Sequence, residues 1–129
     1  MSSSEACTDG ITVRVRARFV PEHSEPARRR WFFVYTVQIS NGGSERVQLI
    51  SRRWTITDAH GIVRRVEGEG VVGEQPILAP GEGFEYTSAC PLETPFGTME
   101  GSYRMTREDG SAFDVAIAGF SLSTPHGVN

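Results

Sequence analysis

The stretch Trp31-Phe-Phe-Val-Tyr-Thr-Val-Gln-Ile-Ser40 predicts the fold of this chain more strongly than any other segment. It is rich in aromatic and β-branched residues, which favour strands. Side chains of a strand alternate between its two faces, so every second residue shares a face. The pattern therefore predicts a strand whose core-facing side chains are Trp31, Phe33, Tyr35, Val37 and Ile39.

A second strand is predicted upstream, over Ile11–Phe19. Its odd positions are apolar, whereas Arg14, Arg16 and Arg18 occupy the opposite face. This period of two is typical of a strand that buries one face. Between the two strands, residues 20–30 contain two prolines and several charges, so this segment is predicted to be a loop.

The rest of the chain repeats short strand patterns that are separated by turn signals. Asp58-Ala-His-Gly61 indicates a hairpin, and no segment shows helical periodicity over three turns. Seven to eight such strands predict an all-β, antiparallel β-sandwich of the immunoglobulin or fibronectin type III class. The further predicted strands are Val47–Asp58, Ile62–Val66, Gln75–Leu78, Phe84–Cys90, Thr98–Met105 and Phe113–Leu122.

One domain accounts for the whole chain, because 129 residues suffice for a single hydrophobic core. Hydrophobic residues make up 38% of the chain and charged residues 22%, which is typical of globular proteins. We expect a flexible N-terminal tail over residues 1–10, one β-sandwich domain over residues 11–125 and a C-terminal tail over residues 126–129.

The composition predicts a soluble, cytoplasmic protein without membrane insertion. No apolar run approaches the length of a transmembrane helix. The polar segment Met1–Gly10 lacks the basic and apolar regions of a signal peptide. Cys7 and Cys90 are therefore expected to be free thiols in a reducing compartment.

Five segments carry a family resemblance, and it covers Ile11–Pro125. They are Val47–Asp58, Glu67–Pro76, Leu78–Ser88, Gly97–Met105 and Phe113–Leu122. In this order they resemble the ApaG family, also called CorD. Several unrelated motifs in the same order make the resemblance specific.

The resemblance implies a fibronectin type III-like sandwich. Small bacterial members of the family consist of this domain alone. Related domains occur in larger eukaryotic proteins, including F-box proteins and a polymerase delta-interacting protein, where they look like protein-interaction modules. The bacterial members are linked by name to cobalt and magnesium efflux. Because a shared fold does not fix a function, the resemblance implies at most an indirect role in efflux for this chain.

A glycine-rich segment, Gly68-Glu-Gly-Val-Val-Gly73, has the formal spacing Gly-x-Gly-x-x-Gly. In dinucleotide-binding folds such glycines let the backbone approach a pyrophosphate at a helix N-terminus. Here Pro76 and further strand patterns follow, and two glutamates within and beside the motif would repel phosphate. A flexible loop is the favoured interpretation. The alternative is a loop that binds a nucleotide, a pyrophosphate or a partner through Gly68, Gly70 and Gly73.

Metal ligands are present in the sequence, but their spacing is not diagnostic. Glu67, Glu69 and Glu74 offer oxygen ligands for magnesium or calcium, and Asp58 with His60 offers a set for cobalt or zinc. Asp58 is instead expected to cap its own turn, with His60 in solvent at the hairpin tip. We therefore predict no metal site and no cofactor.

The arginines form the most concentrated charge in the chain. Arg14, Arg16 and Arg18, extended by residues 28–30, would suit an acidic partner or a nucleic acid. However, the net charge is −3 and the sequence pI about 5.6. A nucleic-acid-binding domain is usually basic, so an ordinary solvated strand face is favoured and nucleic acid is not expected.

No catalytic constellation is visible in the sequence. The three histidines fall in predicted turns and ends, and neither Cys90 nor Ser88 has a recognisable partner. We therefore predict a non-catalytic module that recognises an unnamed protein, or a small anionic ligand, through loops and one exposed sheet edge. An enzyme of nucleotide metabolism that uses residues 68–73 to bind phosphates is the alternative, and a component or regulator of divalent cation efflux is a third. Free strand edges would also allow a homodimer.

Overall fold

The computed structural model describes residues 2–125, which form nine strands and two three-residue 3₁₀ helices. Every paired strand is antiparallel to its neighbour. The helices are Pro21–His23 and Pro26–Arg28. The strands are β1 (Ser2–Thr8), β2 (Ile11–Phe19), β3 (Trp31–Asn41), β4 (Val47–Asp58), β5 (Val63–Glu69), β6 (Ile77–Leu78), β7 (Gly83–Leu92), β8 (Phe96–Arg107) and β9 (Ala112–Ser123).

The strands form two sheets that face each other across one core. The front sheet has the order β1-β2-β3-β7, and the back sheet has the order β5-β4-β8-β9, with β6 paired to β4. This arrangement confirms the predicted all-β, antiparallel β-sandwich. The structure adds β1 to the seven to eight strands that the sequence predicted. Within residues 2–125, no helix is long and apolar enough to cross a membrane.

The core consists of the inward faces that the period of two predicted. On β3, Phe33, Val37 and Ile39 are each 1% exposed or less, and Trp31 at the strand end is half-buried. Trp54 of β4 is the centre of an aromatic cluster, with ring centroids 5.3 to 6.4 Å away in Tyr35, Tyr103 and Phe120. Edge-to-face packing of this kind adds to the free energy gained by burying the rings.

The N-terminal segment corrects one prediction. Residues 2–8 form β1 rather than a flexible tail, and all seven pair with β2, from Ser2↔Ala17 to Thr8↔Ile11. Polar residues are able to form this strand because β2 supplies the backbone partners. Met1 and the predicted C-terminal tail over residues 126–129 lie outside the described residues.

The glycine-rich loop is shorter than the sequence predicted. β5 continues to Glu69, so the first two residues of the motif belong to a strand paired with β4. Beyond it, Val71 and Glu74 form an isolated antiparallel bridge, and the Val71 side chain is 1% exposed. The loop is therefore a compact turn anchored in the core.

Candidate functional site

The three glycines of the motif occupy three different environments. Gly68 lies on β5 beneath the Arg52 side chain, where an added Cβ would stand 2.8 Å from a guanidinium nitrogen. Gly70 has a φ of +64°, and a Cβ there would stand 2.3 Å from the Glu74 carbonyl oxygen. Gly73 has a φ of +82° and nothing within 4 Å of its Cβ position. Only Gly73 thus lies at an open position.

The Arg52 side chain occupies the space over Gly68, the first glycine of the motif. Its Nη1 donates hydrogen bonds to the Glu69 carbonyl at 3.0 Å and to the Gly70 carbonyl at 2.8 Å. The guanidinium therefore lies over Gly68, in the space that any larger side chain would fill. Hydrogen bonds from a charged donor are among the stronger ones, so Arg52 fastens the end of β5 to β4.

Several backbone groups that would hold a phosphate in this loop already have partners. The Gly70 amide donates to the Ile50 carbonyl at 2.8 Å. The Val71 and Glu74 amides donate to each other's carbonyls, at 2.8 and 2.9 Å. After Val66 the described chain contains no helix, and Pro76 is followed by β6. The pyrophosphate geometry of dinucleotide folds, with its helix N-terminus, is therefore not formed here.

Alanine substitutions should separate these glycine environments. We expect Gly70→Ala to lower the free energy of unfolding by about 2 kcal/mol, because it adds a backbone clash to an unfavourable φ. Gly73→Ala should cost about 1 kcal/mol, from the φ alone. Urea unfolding of both variants measures the difference. Equal losses would contradict the assigned clash at Gly70.

The candidate metal ligands do not converge. Glu67 lies 3.5 Å from Arg53 in an ion pair, and the Asp58 carboxylate accepts from the His60 and Ile62 amides at 2.8 and 3.0 Å. Among residues 2–125 no three His, Cys, Asp or Glu side chains are grouped closely enough to hold a metal ion. His23 packs edge-on against Phe32, with 5.6 Å between the ring centroids.

All three tyrosines of the chain lie in the core. The Tyr86 and Tyr103 hydroxyls share a hydrogen bond, and burial raises the pKa of both above the ordinary value of 10.0. Burial also raises the pKa of Tyr35, although a hydrogen bond with Ser88 opposes the shift. These hydroxyls are therefore neutral and unavailable for acid–base chemistry near neutral pH.

We expect tyrosine ionisation to leave the free energy of unfolding unchanged up to about pH 10 and to lower it above that pH. The unfolded state ionises first because its tyrosines have the ordinary pKa, so it binds fewer protons and is favoured as the pH rises. Absorbance at 295 nm should report no tyrosinate in the folded chain until unfolding begins, as followed by circular dichroism. A tyrosine that titrates normally in the folded chain would contradict this.

The candidate nucleophiles are also shielded. Cys90 is 3% exposed, and burial raises the pKa of its thiol despite the Arg64 guanidinium 3.8 Å from its Sγ. Ser88 is half-buried beside Tyr35. A thiol kept protonated in an apolar setting is a poor nucleophile.

One lateral side of the sandwich is closed by hydrogen bonds between β1 and β9. The Ser2 hydroxyl donates to the Ser121 carbonyl, and the Ser4 hydroxyl donates to the Ala118 carbonyl at 2.8 Å. The Thr8 hydroxyl accepts from the Ala116 amide at 3.1 Å. The serine-rich N-terminal strand therefore satisfies part of the exposed edge of β9 with its side chains.

The opposite side ends in β5 and β7, which are terminal strands of their sheets. The Asn41 amide donates to the Glu82 carbonyl at 2.9 Å, in register with the β3–β7 ladder. Hydrogen-bonded pairs alternate along such a ladder. The backbone groups that point away from β3, toward the open side of the sandwich, are therefore those of Glu85, Thr87, Ala89 and Pro91.

Pro91 and Arg64 agree with this assignment. Proline lacks the N–H that a ladder position would need, so it suits an outward-pointing position of an edge strand. The outward carbonyl of Pro91 accepts from Arg64 Nη2 at 3.2 Å, which spans the gap between β5 and β7 at one end. Further along β7, the N–H and C=O groups of Thr87 and Ala89 form a free edge.

A groove of about 640 Å³, here called the Phe32 groove, crosses the outer face of the front sheet. Its apolar floor is formed by Val20, Phe32, Val34 and Pro91. Its polar rim is formed by Arg18, Glu22, His23 and Arg30. Sequence reasoning did not single out this groove, although Phe32 and Val34 break the polar pattern on the solvent face of β3.

The fold and these surfaces define a small antiparallel β-sandwich domain with one closed and one open lateral side. The ApaG domain matches residues 21–107. The chain is 56% identical to Protein ApaG of Methylobacterium sp. strain 4-46 over 122 residues, which are 95% of this chain and 94% of that protein. The chain belongs to the ApaG domain family.

Further relatives agree over nearly the whole chain. Protein ApaG of Anaeromyxobacter dehalogenans strain 2CP-1 is 56% identical over 126 residues, which are 98% of this chain and 99% of that protein. A Bordetella pertussis protein designated ApaA has a crystal structure that superposes with a TM-score of 0.87 at 55% identity. The match covers 89% of this chain and 94% of that one. The predicted resemblance is confirmed.

Proposed function

We propose that this chain is a non-catalytic protein-binding module whose recognition element is the free edge of β7. The observation that carries the proposal is the difference between the two lateral sides of the sandwich. Side-chain hydrogen bonds cover the β1–β9 side, whereas Thr87 and Ala89 on β7 leave backbone groups unpaired within residues 2–125. A partner that adds a strand to this edge would pair with those groups.

The other free edge is better protected. The Asp58 amide donates to the Ile62 carbonyl, which sets the register of bonded pairs on β5. The residues of β5 whose backbone groups point away from β4 are therefore Val63, Arg65, Glu67 and Glu69. Three of these four residues are charged. Charged edge residues discourage strand addition, whereas Thr87 and Ala89 are small and uncharged. The proposal therefore assigns recognition to β7.

Two substitutions at Thr87 test the edge. Thr87→Pro removes an outward N–H without removing a ladder bond, and Thr87→Ala keeps that N–H. Both lose the 2.9 Å hydroxyl contact with Thr36, so they form a matched pair. With an extract of the cells that express the chain, the wild type and Thr87→Ala should retain the same proteins, and Thr87→Pro should lose them.

Retention of the same proteins by Thr87→Pro would argue against the β7 edge. The partner could also be a second copy of this chain, and light scattering of the purified protein tests this by measuring its mass. A homodimer paired through β7 should dissociate in the Thr87→Pro variant only. Circular dichroism of each variant confirms that the sandwich is folded. A wild-type chain that retains no more protein than Thr87→Pro would overturn the proposal.

Nucleotide or pyrophosphate binding at Gly68, Gly70 and Gly73 is the alternative function. The Arg52 guanidinium beside the loop favours an anion there, whereas the paired amides oppose it. Gly73 is the useful test position because its Cβ meets nothing, and both Asp and Asn tolerate its positive φ. Calorimetry with nucleoside triphosphates and pyrophosphate, with magnesium present, should show no saturable heat. Binding lost in Gly73→Asp and kept in Gly73→Asn would instead support the alternative.

A role in cobalt or magnesium efflux is proposed only through a protein partner, since no group of three metal ligands occurs in residues 2–125. We further propose a cytoplasmic location. Both cysteines are free thiols, with Cys7 exposed and Cys90 buried, which suits a reducing compartment.

A further inference from the structure

We infer that the Phe32 groove binds an acidic segment of a partner protein, with one apolar side chain of that segment seated on its floor. The inference rests on the proposed function as a protein-binding module and adds the chemistry of the partner. Three features support it: an apolar floor on a solvent-facing sheet, a wall held by hydrogen bonds, and guanidinium groups without carboxylate partners.

The apolar floor is unusual for a sheet face that is exposed to solvent. Along β3 the outward positions Thr36, Gln38 and Ser40 are polar, whereas Phe32 and Val34 are apolar and half-buried. Phe32 pairs with Pro91 of β7, which extends the apolar surface across two strands. Covering such a surface is favourable because it removes apolar area from water.

The wall of the groove is held in place before any partner arrives. The Ser24 hydroxyl donates to the Val20 carbonyl at 2.8 Å and accepts from the Phe32 amide at 2.9 Å. An isolated bridge between Glu25 and Arg30 closes the loop behind it. Binding to a formed site avoids the entropy cost of ordering the loop, so little of the interaction free energy is lost.

The charges select an acidic occupant. Arg14 is paired with Glu5 at 2.6 Å and Arg28 with Glu25 at 3.4 Å. Among residues 2–125, Arg18 and Arg30 have no carboxylate oxygen within 4 Å. Glu22 is the one acid in the described groove lining, so the two guanidinium charges there exceed its single negative charge. Guanidinium groups bind carboxylates with two parallel hydrogen bonds, which favours Asp or Glu in the partner.

A protein segment suits the groove better than a nucleic acid. The chain carries a net charge of −3, which would repel an extended polyanion. The groove also adjoins the free edge, because Arg18 pairs with Val34 and Val34 pairs with Ala89 in one row across the sheet. A segment that pairs with β7 would lie one strand spacing from Ala89, about 4.8 Å, with its outer side chains on the same face of the sheet as the groove.

A random heptapeptide library displayed on phage tests the inference without assuming a sequence. The full chain is immobilised, and the selected peptides should combine an excess of Asp and Glu with an aromatic or aliphatic residue. A synthetic copy of the strongest peptide should bind about a hundredfold more weakly to the Arg18→Glu/Arg30→Glu variant. It should bind about thirtyfold more weakly to Phe32→Ala.

The Arg46→Glu/Arg65→Glu variant is the matched control, because it changes the net charge equally on exposed arginines outside the groove. Peptide affinity should stay within about threefold of wild type there, since distant surface charges are screened. Amide chemical shifts in the wild type should change at Arg18, Phe32 and Val34 when the peptide is added.

Selected peptides without acidic enrichment, equal losses in the two double variants, or tighter binding of a mixed-sequence oligonucleotide would overturn the inference. The proposed function has its own readout. If Thr87→Pro loses partners while no acidic peptide is selected, the proposed role of the β7 edge is supported and the inference about the Phe32 groove is wrong. If acidic peptides bind the groove while Thr87→Pro keeps its partners, the proposed role of the β7 edge is wrong and the inference about the Phe32 groove is supported.

Discussion

Gly101→Ala should lower the free energy of unfolding by about 3 kcal/mol or more, one of the two largest losses expected from a single substitution here. A Cβ at this position of β8 would stand 2.0 Å from the Arg53 carbonyl oxygen. That oxygen belongs to the backbone of β4, so β4 and β8 would have to separate where Trp54 pairs with Gly101. The midpoint of urea unfolding measures the loss.

Gly119→Ala is the control for Gly101→Ala. Its Cβ would meet no atom closer than 3.8 Å, which is an ordinary contact, and its φ does not favour glycine. We expect a change within about 0.5 kcal/mol. If Gly101→Ala unfolds at the wild-type midpoint, as Gly119→Ala is expected to do, the close approach of β8 to β4 is wrong.

Trp54→Ala should cost about 3 to 5 kcal/mol, the typical loss for a fully buried large aromatic side chain. Trp54 is 2% exposed and contacts aromatic rings from both sheets, because Tyr35 belongs to the front sheet and Tyr103 and Phe120 to the back sheet. Its removal would therefore leave a cavity between the two sheets. Thermal and urea unfolding should both shift.

Trp54→Phe tests whether the loss comes from packing. Within the described residues, Trp54 Nε1 has no hydrogen-bond partner, so phenylalanine keeps a ring and removes an unsatisfied donor. We expect a cost under about 2 kcal/mol. A phenylalanine variant as unstable as the alanine variant would contradict this assignment, because a retained aromatic ring would then contribute nothing to the packing of the two sheets.

The inward faces of the strands could be predicted because their cause is local. Alternation along β2 and β3 identified Val13, Val15, Phe33 and Val37, all of which are buried at 1% exposure or less. Any strand that packs against a second layer must place such residues on one side. The class of fold follows from repeating this requirement along the chain.

The N-terminal strand could not be predicted, since its stability comes from other strands. Ser2–Thr8 has neither the β-branched nor the aromatic residues that favour strands, apart from Thr8 itself. Pairing with β2 and bonds to β9 supply what the local sequence lacks. Propensity is a weak predictor where tertiary contacts decide the conformation.

The glycine motif shows the same limit at the candidate site. Its spacing is compatible with a phosphate loop and with a tight turn, and the residues of the motif do not distinguish the two. Contacts with β4 make the segment a tight turn, because the Gly70 amide donates to the Ile50 carbonyl and the Arg52 side chain lies over Gly68. Which strand would bring a guanidinium there was not visible in residues 68–73.

The sequence by itself determined that this chain is an antiparallel β-sandwich and which side chains its strands bury, because the period of a strand depends only on neighbouring residues. The tertiary structure decided which lateral side is closed, which edge is free and how Phe32, Pro91 and Arg18 form one groove. Those features depend on strands that are distant in the chain, and burial of their shared apolar surface determines which of them pair.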